Sequence, residues 1–259
     1  MAESELRRVA LITGAAHRIG RHIACALAEE GWNIAVHYRS SAADAQHTLR
    51  LLDTFGGRHC LIQADLNVEA DTRRLFSEAV VGLGRVDAVV NNAAIFEYDG
   101  ADSFNTECLM QHMLPNLAAP LLLAQELHRH VRDTRPADRG VVVNLLDQKL
   151  GNPNPDFLSY TLSKAALKTA TTMLAKALAP HVRVVGVSPG LTLPSHLQTD
   201  EDFENTHRMA PLGQASTPHD IARAVQFLLE SPGITGVDLV VDGGQHLLGL
   251  DRDFSMMKS

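Results

Sequence analysis

Three residues in this chain could move a proton together: Tyr160 and Lys164, in Tyr160-Thr161-Leu162-Ser163-Lys164, and Asp147, thirteen positions before the tyrosine. On a helix, residues four apart stand one above the other on the same face, so Tyr160 and Lys164 can address one ligand. A free phenol titrates near ~10 and is a poor acid or base at neutral pH. A neighbouring ammonium favours the phenolate and brings that value towards the working range. Read alone, a Tyr-x-x-x-Lys spacing is equally a solvated helix face. Its meaning depends on the elements that hold it.

Those elements belong to an ordinary globular chain of 259 residues, 45% hydrophobic and 20% charged. A formal charge of −7 argues against a nucleic-acid or anionic-membrane surface. No apolar run approaches the ~20 residues of a membrane span, and residues 1–8 lack the apolar core of a signal peptide. Cys25, Cys60 and Cys108 are widely separated and odd in number, which suits a reducing cytoplasm. Thirteen histidines invite a metal reading, but His128 and His130 point more than a quarter-turn apart on a helix, and no metal is expected.

Apolar, β-rich runs alternate with helical patterns along the whole chain. Strands are expected at 9–13, 33–38, 59–64, 86–91, 141–146, 182–187 and 238–242. The clearest helices are 19–30 (stopped by Gly31), 70–82, 106–131, 157–179 and 218–230. Runs such as Val86-Asp87-Ala88-Val89-Val90 and Val141-Val142-Val143 are apolar throughout, as strands covered on both faces are. The expected fold is α/β: a Rossmann-type, doubly wound parallel sheet of about seven strands with helices on both faces. A single domain over 1–259 is expected, with 1–6 and 250–259 as loose tails.

The first strand runs into Thr13-Gly14-Ala15-Ala16-His17-Arg18-Ile19-Gly20. Glycines there let the backbone approach a pyrophosphate, and the following helix offers free N–H groups and a positive dipole end. The turn departs from a plain Gly-x-x-x-Gly-x-Gly form, because Arg18 occupies the middle glycine position. The second strand ends in Val36-His37-Tyr38-Arg39-Ser40, without the acidic residue that holds a ribose 2′-hydroxyl. Arg39 and Ser40 instead offer donors suited to a 2′-phosphate, with Arg18 as a second cation, so NADP(H) is the expected cofactor. The alternative for Arg39 is a plain surface arginine.

Together these pieces resemble the short-chain dehydrogenase/reductase family over nearly the whole chain. The matching residues are Thr13-Gly14…Gly20, Asp65-Leu66, Asn91-Asn92-Ala93-Ala94, Asn116, Tyr160-x-x-x-Lys164, Ser188-Pro189-Gly190 and Asp242-Gly243-Gly244. The resemblance implies Asp65 beside an adenine, with Leu66 next to it, and Asn92, Ala93 and Ala94 along the cofactor, as well as Pro189 and Gly190. It implies Tyr160 as proton donor and Lys164 as the group that holds the nicotinamide ribose and lowers the tyrosine pKa. Asn116 would organise a helix kink and a proton-relay water. The segment 191–217, beginning at Leu191, would cap the substrate.

One departure bears on the chemistry. The family usually places a serine where this chain has Asp147. That serine donates a hydrogen bond to a carbonyl oxygen, which an ionised carboxylate cannot do. A Tyr-Asp pair better suits a substrate nitrogen that gains a proton after hydride addition, and an aspartate in a dry pocket can hold its own proton. With Arg18, Phe96 and His37-Tyr38-Arg39-Ser40, the chain looks like the pteridine reductase branch, including dihydromonapterin and dihydrofolate reductases of this fold. There a pterin ring would lie between the nicotinamide and Phe96, with Arg18 near the phosphates and Leu191, Asp147 and Tyr160 around the substrate. Two other readings stay open: a carbonyl or 3-oxoacyl reductase using protonated Asp147 in place of serine, and a non-catalytic NADP-binding regulator. Phe96 could be plain core, and Asp147 merely structural. Surplus apolar residues on 106–131 and 157–179 suggest burial against other subunits, and the resemblance implies a homotetramer.

Overall fold

In the computed structural model, residues 7–195 and 198–257 are described. Seven strands form one parallel sheet: β1 (Val9–Ile12), β2 (Asn33–Tyr38), β3 (His59–Gln63), β4 (Ala88–Asn91), β5 (Gly140–Leu145), β6 (Val182–Pro189) and β7 (Asp238–Val241). Their spatial order is β3-β2-β1-β4-β5-β6-β7, so the winding reverses between β1 and β4. Ligand crevices in such sheets open at the carboxyl ends of the strands at that reversal.

Successive strand residues face opposite layers, and two cores result. Ala10, Ile12, Val90 and Val143 pack against Ile23 and Leu27 of α1 (Arg18–Glu29) and Ile221 and Val225 of α8 (Pro218–Glu230). Leu11, Val89 and Val142 face Leu75 of α3 (Glu69–Leu83) and Leu123 and Leu127 of α5 (Ala119–Thr134). Both strand faces are therefore apolar, which is why the runs do not alternate. A helix α2 (Ala42–Asp53) closes the β2–β3 crossover, and α6 (Leu158–Ala177) leads into β6.

The stretch expected as one helix over 106–131 is broken. An α-helix α4 (Thr106–Met113) passes through a π-helical turn, Leu114–Ala118, before α5. Pro115 and Pro120 have no N–H to donate, so the ordinary i→i−4 ladder is interrupted there. Part of the capping stretch forms a further helix, α7 (Asp200–Arg208), started by Thr199, whose hydroxyl accepts from Asp202 N–H.

The expectation of a loose tail over 250–259 needs correction. Asp253 accepts from Ser255 N–H and begins a short 3₁₀ turn, Phe254–Met256, and Phe254 is buried. Phe254 supplies the apolar surface, and partners more than ninety positions away in sequence anchor the segment. The expected tail 1–6 lies outside the described residues, as do 258–259.

Candidate active site

The turn after β1 is built by glycines with different tasks. Gly14 has φ +63°, the left-handed region that side chains avoid. At Gly20 a Cβ would stand 2.4 Å from the Gly14 carbonyl oxygen and 2.6 Å from Asn92 Nδ2, so only glycine lets the first turn of α1 close onto this loop. Arg18 takes φ +52°, although arginine seldom adopts it, and its Nη2 donates to the Pro194 carbonyl at 3.0 Å. That bond joins the glycine turn to the segment after β6.

Thr13 is buried rather than exposed to the cleft. Its hydroxyl oxygen accepts from the N–H groups of Asn92 and Ala93, both at 3.0 Å, while Asn92 Nδ2 donates to the Thr13 carbonyl at 2.8 Å. His37 is likewise buried, 2% exposed. Its Nδ1 accepts from Gly14 N–H at 3.0 Å, and the ring's Nε2 lies 3.1 Å from the Ala64 carbonyl. Burial pushes this imidazole down to about 4, so it stays neutral and fastens the glycine turn to β2 and β3.

Beside these residues runs a cleft of about 370 Å³, lined among others by Gly14, Arg18, Tyr38, Arg39, Ser40 and Asp65. Gly20, Ile19, Leu66, Ala93 and Ala94 also border it, as do His17, Ser41 and Asn67, which sequence reasoning did not single out. Asp65 has one oxygen engaged by the backbone and side chain of Asn67. The Arg39 side chain has no carboxylate partner among the described residues. A chamber of about 290 Å³ adjoins the cleft, sharing Arg18, Ile19, Asn92 and Ala94 with it. Phe96, Asp147, Tyr160, Lys164 and Leu191 all border this chamber, with Pro189 and Gly190.

Asp147 follows β5 and caps a 3₁₀ turn, Gln148–Gly151, its Oδ1 accepting from Lys149 N–H at 2.8 Å. Its Oδ2 accepts from the Tyr160 hydroxyl at 2.7 Å. Burial holds the Asp147 carboxyl above its usual range, more than the Lys149 and Tyr160 hydrogen bonds lower it. Tyr160 is pushed well above 10 by burial and then by the negative charge of Asp147. This is the opposite direction to that expected from the Tyr-x-x-x-Lys spacing. The first physical reason is burial, which disfavours the phenolate; the Asp147 carboxylate in contact with the hydroxyl adds to it, while Lys164 Nζ donates to the Leu145 carbonyl. Burial brings Lys164 down to about 8.

Phe96 stacks on Phe157, centroids 4.1 Å apart and planes at 17°, and meets Tyr160 edge-on at 4.7 Å. Phe157, at φ +56°, starts α6. Asn116 sits in the π-helical turn and is buried; its Oδ1 accepts from Ile95 N–H, and its Nδ2 donates to the Ile95 carbonyl and to Ser163 Oγ. The side chain thus braces the loop carrying Phe96 against α6. His128 lies beside His181 and His130 beside Phe76, and no group of three or more His, Cys, Asp or Glu placed to hold a metal occurs among the described residues.

A glycine-lined cleft at the sheet's reversal, opening into a chamber bordered by Tyr160 and Lys164 of α6, is the arrangement of an oxidoreductase of the short-chain type. The chain belongs to the short-chain dehydrogenase/reductase family. The family model described as "Enoyl-(Acyl carrier protein) reductase" matches residues 14–246. Pteridine reductase 1 of Leishmania tarentolae is 33% identical over 289 residues, covering 95% of this chain and 99% of that protein. A human 3-oxoacyl-[acyl-carrier-protein] reductase is 31% identical over 244 residues, covering 93% and 99%. The crystal structure of FolM alternative dihydrofolate reductase 1 from Brucella canis, complexed with NADP, superposes with a TM-score of 0.86 at 36% identity, covering 93% of this chain and 95% of that one.

Proposed function

We propose that this protein is an NADPH-dependent pteridine reductase, acting on a dihydropterin or on dihydrofolate. The observation that carries the reading is the 2.7 Å hydrogen bond between Tyr160 and Asp147 in a chamber that also holds Phe96. Similarity to the Leishmania and Brucella reductases supports it.

The cleft fits the cofactor by its own chemistry. Gly14 and Gly20 bring backbone close to a pyrophosphate at the start of α1, and Arg39 with Ser40 presents donors for a 2′-phosphate. Lys164 would hold the nicotinamide ribose. When bound, the cofactor supplies a hydride to the substrate. Tyr160, kept protonated by burial, then donates its proton to a ring nitrogen, and Asp147, protonated for this step, passes its own proton on to the phenolate. Phe96, backed by Phe157, offers a flat ring for stacking, an offset contact adding about ~1 kcal/mol beyond area burial. Arg18 borders both cleft and chamber and would hold a cofactor phosphate or the substrate there.

NADPH oxidation with dihydrobiopterin, dihydromonapterin, dihydrofolate and a panel of ketones and 3-oxoacyl thioesters tests the assignment. Turnover of a pterin supports it; ketone reduction with no pterin turnover rejects it. The second reading, a carbonyl or 3-oxoacyl reductase, draws on the elevated Asp147 carboxyl, which when protonated can donate to a carbonyl oxygen as serine does.

Residues 1–259 are taken as one cofactor-binding domain, with 191–217 as its substrate cap. Exposed Leu162 and Met173 on α6 support a homotetramer, which light scattering tests. Three unpaired cysteines suit the cytoplasm, which cell fractionation tests. No helix among the described residues is long and apolar enough to cross a membrane.

A further inference from the structure

Lys149 is a buried cation that the proton chemistry does not use. It is 2% exposed, and a buried ammonium has to find partners. Its Nζ donates to Asp253 Oδ2 at 2.9 Å and to the Asp156 carbonyl, and stands 5.3 Å from the centroid of the Phe157 ring. Its backbone N–H donates to Asp147 Oδ1. One residue thus touches two walls of the substrate chamber, the loop carrying Asp147 and the segment beginning at Asp253, and the Phe157 ring that backs a third, Phe96.

That segment is itself a wall, since Asp253, Phe254 and Ser255 border the chamber. It has no strand or long helix to hold it in place. Asp253 Oδ1 accepts from Ser255 N–H and Oγ, and Asp156 Oδ2 accepts from Asp253 N–H at 2.8 Å and from Arg252 Nε at 2.8 Å. Gln198 of the stretch preceding α7 donates to the Phe254 carbonyl at 3.2 Å. Among these contacts only Lys149 reaches the proton-transfer pair directly. A buried ion pair contributes little net stability compared with apolar residues of the same volume, so this one is better explained by the geometry it imposes.

We propose that Lys149 is a positioning residue: through its ion pair with Asp253 it fixes the segment 253–255 as a wall of the substrate chamber and orients the Asp147–Tyr160 pair. The inference rests on the reading that this pair protonates the substrate. The charged and titratable groups around Asp253 are Lys149, Asp156 and Arg252, with Asp147 and Tyr160 across the chamber and Lys164 behind Asp147. Removing the ammonium leaves the Asp253 carboxylate uncompensated beside Asp147, which raises the pH at which Asp147 loses its proton. Removing the carboxylate leaves the ammonium uncompensated, which lowers it.

The test compares Lys149→Met, Lys149→Arg, Asp253→Asn and the double variant K149M/D253N in steady-state assays with the pterin that the wild type reduces, across pH. Expected are a rise in substrate KM of about tenfold in each single loss-of-pair variant, NADPH Kd within about twofold of wild type, and recovery in Lys149→Arg. The double variant is expected to be no worse than the poorer single one. The alkaline limb of the kcat profile should move to higher pH in Lys149→Met and to lower pH in Asp253→Asn. Loss of stability with unchanged KM and kcat, limbs that move in the same direction, or an equal loss of NADPH affinity would overturn the proposal. Amide hydrogen exchange needs no substrate: faster exchange confined to 147–149 and 252–256 in Lys149→Met supports it even where no pterin is turned over, and unchanged exchange there sinks it. If Lys149→Met fails to fold, Asp253→Asn carries both readouts.

Discussion

The Tyr160 hydroxyl donates to Asp147 Oδ2 at 2.7 Å, and this bond joins two acids that are each held above their usual range. Burial comes first for both, and the carboxylate's charge then makes the phenol still harder to ionise. A pair arranged in this way holds protons for delivery, as reduction of a ring nitrogen requires. It is poorly arranged to withdraw a proton from an alcohol.

Asp147→Asn keeps a hydrogen-bonding side chain of the same shape but has no acidic proton to pass on. Its kcat for the pterin should fall about 100-fold, with NADPH binding retained, as steady-state kinetics and fluorescence titration would register. Asp147→Ser should gain activity on ketones while losing it on pterins; equal loss on both would argue against the assigned role. Because Asp147 must be protonated, the wild-type rate should fall as pH rises through its elevated value.

Replacing Arg39 by Ala removes a guanidinium that borders the cleft without a carboxylate partner. A charged hydrogen bond to phosphate is worth roughly 1.5–3 kcal/mol, so the NADPH Kd should rise about 10- to 100-fold while that for NADH stays the same. Calorimetric titration with both cofactors would distinguish this from a general loss of binding.

His37 links pH to stability with a definite sign. In the fold it titrates at about 4, against about 6.5 when unfolded, so between these values the unfolded chain binds the extra proton. The stabilisation is fully present above about 6.5 and is lost as pH falls towards 4, a difference of about 3 kcal/mol. Chemical denaturation from pH 7 to pH 4 should show it, and the curve of His37→Gln should be flatter over the same window.

Gly20→Ala places a methyl 2.4 Å from a backbone oxygen that cannot move without opening the glycine turn. A loss of about 2 kcal/mol or more in stability is expected, with weakened NADPH binding. Gly31→Ala is the control: its φ of +82° is unfavourable for alanine, but nothing stands near its Cβ, so it should cost stability without touching the cofactor.

Much of this arrangement was legible in the amino-acid order. Helix α8 begins and ends at the expected 218 and 230, and the strands fall within a residue or two of their expected bounds, because long periodic runs report which faces are covered. The residues named for cleft and chamber come from eight separate segments, and all but Thr13 and Asn116 border one or the other. The misses share a cause. Periodicity ran one helix through 114–118 and only the family resemblance placed a kink at Asn116; Thr13 acts beneath the turn, and 253–255 has no periodicity to mark it.

Residue type and spacing determined the fold class and the phenol-ammonium helix, and the family resemblance marked position 147 as a carboxyl where a serine hydroxyl is usual. They could not say which charge governs Tyr160, nor that Lys149 finds a partner 104 residues away. Local pattern records which side of an element is apolar, whereas a pairing between distant side chains depends on how loops close over the sheet's edge. Only the assembled fold buried Tyr160 and set its hydroxyl against Asp147, and burial first, the carboxylate second, set the direction in which the proton is held.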